Sequence, residues 1–128
     1  MPGIPYALAR PETQVTLLDA NEKKTAFLRQ VTIELKLRNV TVACARVEKW
    51  HPPMLFDAVV SRAFSDLNKF IALAGRLCAT GGMLAAMRGA FDASEVLGGS
   101  TGFSLKRVVR LSVPGLHAVR HLILLQRV

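Results

Sequence analysis

The sequence predicts an α/β fold with a mostly parallel sheet that ends in an antiparallel pair of strands. Short apolar runs typical of buried strands alternate with helix-length amphipathic segments through most of the chain. Two later apolar runs, 105–111 and 120–126, are joined by a short loop containing Pro114 and Gly115, which favours antiparallel pairing. With 128 residues, 51% of them hydrophobic, we expect residues 1–128 to form a single domain.

The amino-terminal part of the chain is expected to contain two helices and a strand. Residues 3–10 can form about two helical turns before Pro11 stops them, and residues 14–18 form a strand. Asn21 is placed to cap a helix over 22–36. Apolar residues at four-residue spacing make this helix amphipathic. Its expected inner stripe consists of Phe27, Leu28, Val31 and Leu35.

The rest of the chain continues the alternation of strands and helices. Asn39 is expected to terminate the second helix. The helix that Ser65 can cap has a strongly apolar inner face, formed by Leu67, Phe70, Ile71, Ala74 and Leu77. The remaining expected elements are strands over 40–45, 56–61 and 83–87, a turn at Gly81 and Gly82, a short helix over 92–97 and a turn region over 98–102.

The charge balance favours a polyanionic partner. Lys and Arg number 17 against 9 Asp and Glu, a formal net charge of +8. Nucleic acid is the first candidate and an anionic membrane the second, although an ordinary basic surface also fits, because the cations are dispersed. The apolar runs are far shorter than the ~20 residues that span a bilayer, and the amino end lacks a signal-peptide pattern. Cys44 and Cys78, isolated in apolar settings, are expected to be buried and reduced in a cytoplasmic protein.

Asp19 is the strongest candidate ligand-binding residue in the pattern alone. It follows a short apolar strand, at the end where open parallel sheets bind ligands. In nucleotide-binding sheets an acid at this place accepts hydrogen bonds from ribose hydroxyls. Asp is also a good helix N-cap, and the pattern favours neither interpretation over the other.

A series of short motifs relates the chain to a known family. They are Pro2-Gly3-Ile4-Pro5, Ala9-Arg10-Pro11-Glu12, Val15-Thr16-Leu17-Leu18-Asp19, Lys23-Lys24 with Phe27-Leu28, Asn39-Val40, Arg46-Val47-Glu48, Phe56-Asp57, Ser61-Arg62-Ala63-Phe64, Gly81-Gly82 and Arg120-His121-Leu122. In this order and spacing, the chain resembles the bacterial small-subunit (16S) ribosomal RNA guanine-N7 methyltransferases, the RsmG or glucose-inhibited division protein B family. The resemblance implies a Rossmann-like sheet of the S-adenosylmethionine-dependent methyltransferases, in which a terminal antiparallel pair is usual.

The resemblance also implies an amino-terminal truncation. The family has a glycine-rich loop, G-x-G-x-G-x-P-G, after its first strand, and this chain begins at the last three positions of that loop, as Met1-Pro2-Gly3. In the family the first strand lies between the strands expected here at 14–18 and 56–61. We therefore expect a partial methyltransferase domain in which the start is misplaced or cut, a partner chain fills the gap, or the sheet closes up.

Several site residues follow from the resemblance. Those implied for S-adenosylmethionine are Met1, Gly3, Asp19, Val47, Glu48 and Arg62, and those implied for RNA are Lys23, Lys24 and Arg88. Further candidate RNA contacts are Arg29, Lys106, Arg107 and Arg110, although any single one also fits an ordinary solvated face. No catalytic base is expected, because guanine N7 already carries a lone pair and the sulfonium methyl is activated by the cofactor. No metal is expected either, because no His has a Cys or acid at metal-ligand spacing.

Three functions are compatible with these observations. The resemblance implies methyl transfer to guanine N7 of 16S rRNA, with the small ribosomal subunit as partner and no membrane. The alternative is a truncated, catalytically inactive fragment that keeps a basic RNA-binding surface. A nicotinamide-dependent α/β enzyme is disfavoured, because the glycine fingerprint is missing and the antiparallel pair is unusual for such enzymes.

Overall fold

The computed structural model describes residues 3–62, 67–88, 102–111 and 120–128. The chain divides into two compact units, Met1–His51 and Pro52–Val128. Parallel strands, helices and a terminal antiparallel pair are all present, which confirms the predicted fold class. The expected cap at Ser65, the helix over 92–97, the loop at Pro114 and Gly115 and most of the turn over 98–102 lie outside the described residues. No helix among the described residues is long and apolar enough to cross a membrane.

The first unit is a two-stranded parallel sheet with two helices. Its elements are α1 (Gly3–Ala9), β1 (Val15–Asp19), α2 (Glu22–Glu34), β2 (Val40–Cys44) and a 3-10 turn (Val47–Lys49). The two strands pair in register from Val15 opposite Val40 to Asp19 opposite Cys44. Both strands therefore end at the same edge of the sheet.

Asn39 fastens α1 and the turn after it to the start of β2. Its side chain is buried, and its amide nitrogen donates to the carbonyl oxygens of Ala7 and Arg10, each at 3.2 Å, and of Thr13 at 2.9 Å. These carbonyls lie at the end of a helix and in a turn, where the backbone offers them few partners. The prediction that Asn39 terminates α2 is wrong.

Helix α2 ends instead in two backbone hydrogen bonds made by Lys36 and Leu37. The Leu37 N–H donates to the carbonyl of Thr32 at 3.0 Å, and the Lys36 N–H donates to that of Ile33 at 3.1 Å. This is the Schellman pattern, which needs a left-handed residue after the cap. Lys36 takes that conformation, with φ of 53°, although glycine is the usual residue there.

The inner face of α2 differs from the predicted stripe. Thr25 and Leu28 are buried, whereas Phe27 is 67% exposed and Leu35 is 47% exposed. Two threonines can face inward because their hydroxyls are satisfied within the helix. Thr25 Oγ1 donates to the Glu22 carbonyl at 3.0 Å and Thr32 Oγ1 to the Leu28 carbonyl at 2.7 Å. Residues four apart are also offset by about 40° around a helix, so Phe27, Val31 and Leu35 do not share one face.

The second unit contains a four-stranded sheet. Its elements are β3 (Phe56–Arg62), α3 (Leu67–Ala74), a 3-10 turn (Gly75–Leu77), β4 (Cys78–Arg88), β5 (Phe103–Leu111) and β6 (Arg120–Arg127). The strand order is β3-β4-β6-β5, with β3 parallel to β4 and the other pairs antiparallel. The predicted antiparallel pair is confirmed, and its second strand lies between β4 and β5.

Strand β4 begins earlier than predicted. The expected turn at Gly81 and Gly82 lies inside the strand, where the register with β3 jumps from Phe56 opposite Cys78 to Ala58 opposite Met83. Gly81 has φ of +78°, which favours glycine. Gly82 is buried, and a Cβ there would lie 2.8 Å from the Asp57 carbonyl oxygen. The two glycines therefore permit an irregularity in β4 at which residues with a side chain would be strained.

One face of this sheet carries the core. Leu84 lies opposite Leu125, and Ala86 lies opposite Ile123, all with their side chains buried. Register partners project to the same face, so these residues form one continuous apolar surface. The predicted apolar face is confirmed, since all of its members are buried, although the last of them lies in the 3-10 turn after α3: Leu67, Phe70, Ile71, Ala74 and Leu77.

The two cysteines differ in environment, and both are free. Cys78 is buried as expected, and burial raises the pKa of its thiol, with a smaller lowering effect from Arg127 and a raising effect from Asp57. The prediction that Cys44 is buried is wrong. Cys44 is the last residue of β2, at the end of the strand, and its side chain is exposed.

Candidate functional site

In the first unit, Asp19 marks the carboxyl edge of the parallel sheet. It is the last residue of β1, opposite Cys44 in β2. Its carbonyl accepts a 3.1 Å hydrogen bond from the N–H of Ala45, so the chain leaving β2 begins beside Asp19. This is the edge at which open parallel sheets hold their ligands.

The Asp19 carboxylate is oriented by the turn that follows. One oxygen, Oδ1, accepts a 2.8 Å hydrogen bond from the Asn21 N–H. Asn21 in turn caps α2, because its Oδ1 accepts from the Lys24 N–H at 3.1 Å. The predicted Asn21 cap is confirmed, and Asp19 is not the N-cap. The second Asp19 oxygen accepts no hydrogen bond from the described residues, so it can accept one from a ligand hydroxyl.

Val47 and Glu48 follow the same edge. They lie in the 3-10 turn that begins three residues after β2, and the Trp50 N–H closes it with a 3.4 Å hydrogen bond to the Val47 carbonyl. The Val47 side chain is half-buried and that of Glu48 is exposed. An apolar and an acidic side chain therefore come from the loop after β2, in the same unit as Asp19.

Gly3 has a packing role that can be read from the structure. It opens α1, and a Cβ at this position would overlap Cδ2 of Leu17 in β1. The absent side chain thus allows the first turn of α1 to lie directly on the strand, which is one function of the last glycine in nucleotide-binding loops. Met1, the other residue implied near this loop, lies outside the described residues.

In the second unit, two arginines end the two parallel strands. Arg62 is the last residue of β3 and pairs in register with Met87, and Arg88 is the last residue of β4. Their backbones lie at the carboxyl edge of this sheet, the position expected of ligand-binding residues. The structure thus places Gly3, Asp19, Val47 and Glu48 in one unit and these two arginines in the other.

Lys23 and Lys24, predicted to contact RNA, occupy the first turn of α2 and are exposed. They follow the Asn21 cap and are four and five residues beyond Asp19. Their long side chains can extend into the solvent near the start of α2.

A row of basic residues crosses the second sheet and was not predicted from the sequence. Arg88 lies opposite His121, and His121 lies opposite Arg110 on the other side. Register partners share a face, so the three side chains project from the same face of neighbouring strands β4, β6 and β5. The Nδ1 atom of His121 is buried without a hydrogen-bond partner among the described residues. Only the strand register could have revealed this row.

No group of three or more His, Cys, Asp or Glu side chains that could hold a metal ion occurs among the described residues.

This strand arrangement defines a Rossmann-like methyltransferase fold. A solved structure of M. jannaschii TYW2 in complex with AdoMet matches 98% of this chain and 63% of its own length, with a TM-score of 0.72 and 17% identity. The S-adenosylmethionine-dependent methyltransferase SibL, in its apo form, matches 97% of this chain and 46% of its own, also with a TM-score of 0.72 and 17% identity. At such identities the similarity establishes the fold alone.

The sequence comparisons are more specific. A family model described as GidB, rRNA small subunit methyltransferase G, matches residues 1–123. The chain therefore belongs to the rRNA small subunit methyltransferase G family. Proteins named ribosomal RNA small subunit methyltransferase G are similar to it at 48% identity in Laribacter hongkongensis and 49% in Chromobacterium violaceum, each over 96% of this chain. The chain spans 59% of the length of each of these curated relatives.

Proposed function

We propose that this protein transfers a methyl group from S-adenosylmethionine to N7 of a guanine in 16S ribosomal RNA. The observation that carries the proposal is family membership, with a match over residues 1–123 and relatives at 48–49% identity. The match runs through both compact units, which supports treating residues 1–128 as one partial methyltransferase domain.

The cofactor is proposed to bind at the carboxyl ends of the strands. Asp19 would accept hydrogen bonds from the ribose hydroxyls through its second oxygen, since the first is held by Asn21. Val47 and Glu48 would contact the adenine region from the loop after β2. Gly3 keeps α1 close to β1, and Met1 and Arg62 are assigned to the site through the family alone. When bound, the cofactor supplies an activated sulfonium methyl.

The chain's contribution to the reaction is proposed to be alignment. Guanine N7 has an in-plane lone pair, so no proton has to leave before it attacks the methyl carbon. The residues around the site need to hold the guanine base and exclude water. They would therefore accelerate the reaction by orienting the reactants and not by transferring a proton. For this reason we assign no catalytic base.

RNA is proposed to contact Lys23, Lys24 and Arg88. All three are cations near strand ends or the start of α2, where phosphate contacts would position the substrate without specifying its sequence. Arg offers a planar fork that binds phosphate through two hydrogen bonds. The partner would be 16S rRNA or the small ribosomal subunit, and the proposed location is accordingly the cytoplasm.

Calorimetry with S-adenosylmethionine on the 128-residue chain tests the cofactor site. We expect saturable heat in the unsubstituted chain and a loss of affinity of about tenfold or more in Asp19→Asn. The matched control is Glu34→Gln, which changes an exposed carboxylate in α2 and should leave binding unchanged. Transfer of a labelled methyl to 16S rRNA, with 7-methylguanine identified by mass spectrometry, tests the reaction. Equal affinities in both variants would remove Asp19 from the site.

The alternative is a catalytically inactive fragment that binds RNA. It is favoured by the sheet arrangement, because the described strands form two separate sheets in which β1 pairs only with β2 and β3 only with β4. Absence of heat with S-adenosylmethionine, together with retained binding of 16S rRNA, would support this alternative for the 128-residue chain.

A further inference from the structure

The second unit carries the larger part of the excess positive charge, with nine Lys and Arg against four acids in residues 52–128. Residues 1–51 carry eight Lys and Arg against five acids. Within the described part of the second unit, Asp57 is the one acidic residue. The cations there are nine: Arg62, Lys69, Arg76, Arg88, Lys106, Arg107, Arg110, Arg120 and Arg127. A polyanion is therefore attracted more strongly by this unit than by the first.

Three of these cations lie on one strand, β5, at the outer edge of the sheet. Lys106, Arg107 and Arg110 are all exposed, and none forms a hydrogen bond or ion pair with the described residues. Among the described strands β5 pairs only with β6, so no described strand occupies its other edge, which we call open. We call Lys106, Arg107 and Arg110, with this open edge, the basic ledge.

The register distributes the ledge cations to both sides of the strand. Arg107 lies opposite Leu124 and Arg110 opposite His121, and because these positions are of opposite parity, the two guanidinium groups project to opposite faces. Lys106 has no register partner, since the pairing passes from Leu105 to Arg107 through an irregularity. The three cations therefore flank the open edge from both faces, the arrangement that suits a single extended anionic strand lying along it.

The ledge belongs to the same sheet as Arg88, one of the proposed RNA contacts. Arg110 belongs to the row in which His121 and then Arg88 follow on neighbouring strands, and Arg88 ends parallel strand β4. Two strand spacings, about 10 Å, separate the backbones of Arg110 and Arg88. The end of the ledge at Arg110 therefore lies about two strand spacings from Arg88, which is proposed above to contact RNA.

We propose that the basic ledge binds the phosphate backbone of the substrate RNA outside the methyl-transfer site. This inference rests on the proposed function for the identity of the RNA. Charged residues also protect edge strands from pairing with other chains. That protective role needs charge of either sign, whereas phosphate binding needs positive charge, and this difference makes the two roles separable.

Charge reversal tests the proposal while keeping the edge charged. The triple variant Lys106→Glu, Arg107→Glu, Arg110→Glu is compared with the control Arg38→Glu, Lys49→Glu, Lys69→Glu, which reverses three other exposed cations and lowers the net charge equally. Affinity for a 16S rRNA transcript is measured at several salt concentrations. We expect the ledge variant to bind about tenfold or more weakly than the control at physiological salt. The slope of log affinity against log salt should fall by about two to three units in the ledge variant and by less in the control.

Equal losses in the two variants, or an unchanged salt slope in the ledge variant, would overturn the proposal. So would a chain that binds vesicles of phosphatidylserine through the ledge but not RNA. Circular dichroism and the heat of S-adenosylmethionine binding are measured on both variants. If the chain shows no methyl transfer but the salt slope still depends on the ledge cations, the proposed reaction is wrong and RNA binding by the ledge is supported. If methyl transfer occurs but the salt slope does not depend on these cations, only the proposal for the ledge is wrong.

Discussion

The side-chain amide nitrogen of Asn39 lies 2.9 Å from the carbonyl oxygen of Thr13, 26 residues away along the chain. The same nitrogen also donates to the carbonyls of Ala7 and Arg10, so one buried amide holds the end of α1, the following turn and the start of β2 together. Because the acceptors are all carbonyls, the position requires a donor.

Asn39→Asp is therefore expected to lower the free energy of unfolding by about 1–3 kcal/mol or more, since a carboxylate cannot donate and would face three carbonyl oxygens. The matched control is Asn21→Asp, where the native side chain acts as an acceptor towards Lys24. There Asp should cap α2 as well as Asn does. Urea unfolding of both variants checks the pair; similar stabilities would show that the Asn39 hydrogen bonds contribute little.

Replacing Lys36 by glycine is expected to stabilise the protein. Lys36 has φ of 53° at the end of α2, a conformation that costs an ordinary residue roughly 1 kcal/mol and glycine almost nothing. Lys36→Gly should therefore raise the free energy of unfolding by about 0.5–1 kcal/mol, whereas Lys36→Ala, which keeps a Cβ, should not. A destabilised glycine variant would contradict the assigned role of this position in the Schellman motif.

Phe27 and Leu28 are neighbours in α2 with opposite environments. Phe27 is 67% exposed and Leu28 is 5% exposed. We expect Phe27→Gln to change the free energy of unfolding by no more than about 0.5 kcal/mol, because the ring buries little surface. Leu28→Ala should cost about 2–5 kcal/mol through the cavity that it leaves. Chemical denaturation of the two variants measures the contrast, and a larger loss at Phe27 would show that its ring packs against protein in solution.

Much of the fold was predictable because local signals and packing agree. The inner face of α3 was correct at every described position, since a strongly apolar stripe has only one face to bury. The antiparallel pairing of β5 with β6 follows from their short connection. Non-local features were not accessible: the burial of Asn39 depends on a turn 26 residues earlier, and the Phe27 error arose because two self-satisfied threonines compete for the inner face.

The candidate site was predictable to a similar extent. Asp19 ends β1, and Val47 and Glu48 lie in the turn after β2, as predicted, because parallel strands end at the same edge. That these residues bind a cofactor stays a prediction. Only the structure shows that Asn21, and not Asp19, caps α2. The role of Asp19 as a ribose ligand stays a prediction. The row of Arg88, His121 and Arg110 could not be derived, because residues from three strands meet only once the register is known.

The two thiols are expected to react at very different rates. Cys44 is exposed and should react with a maleimide or a disulfide reagent in the folded protein. Cys78 is buried and its pKa is raised by burial, so it should react only after unfolding. Mass spectrometry after brief labelling should show one modified thiol, and Cys44→Ser should show none. Rapid labelling of both would contradict the burial of Cys78.

The raised pKa of Cys78 also predicts the direction of a pH effect. The folded state holds the thiol proton more tightly than the unfolded chain, whose pKa is near the ordinary 9.0. The stabilisation is therefore complete below that value and is lost as pH rises through the folded pKa. Unfolding measured across this alkaline range should show a steeper decline for the native chain than for Cys78→Ala, and parallel curves would contradict the shift.

The position of β6 inside the sheet constrains how the second unit can assemble during synthesis. Strand β5 leaves the ribosome before β6, yet β6 is its one partner among the described strands and also separates it from β4. The three cations of β5 therefore remain on a nascent segment without a sheet until β6 is released. A mutation that prevented β6 from pairing would leave β3 and β4 as an isolated pair and β5 without a partner among the described strands. Because an isolated pair of strands is marginally stable, this unit should unfold as a whole and not strand by strand.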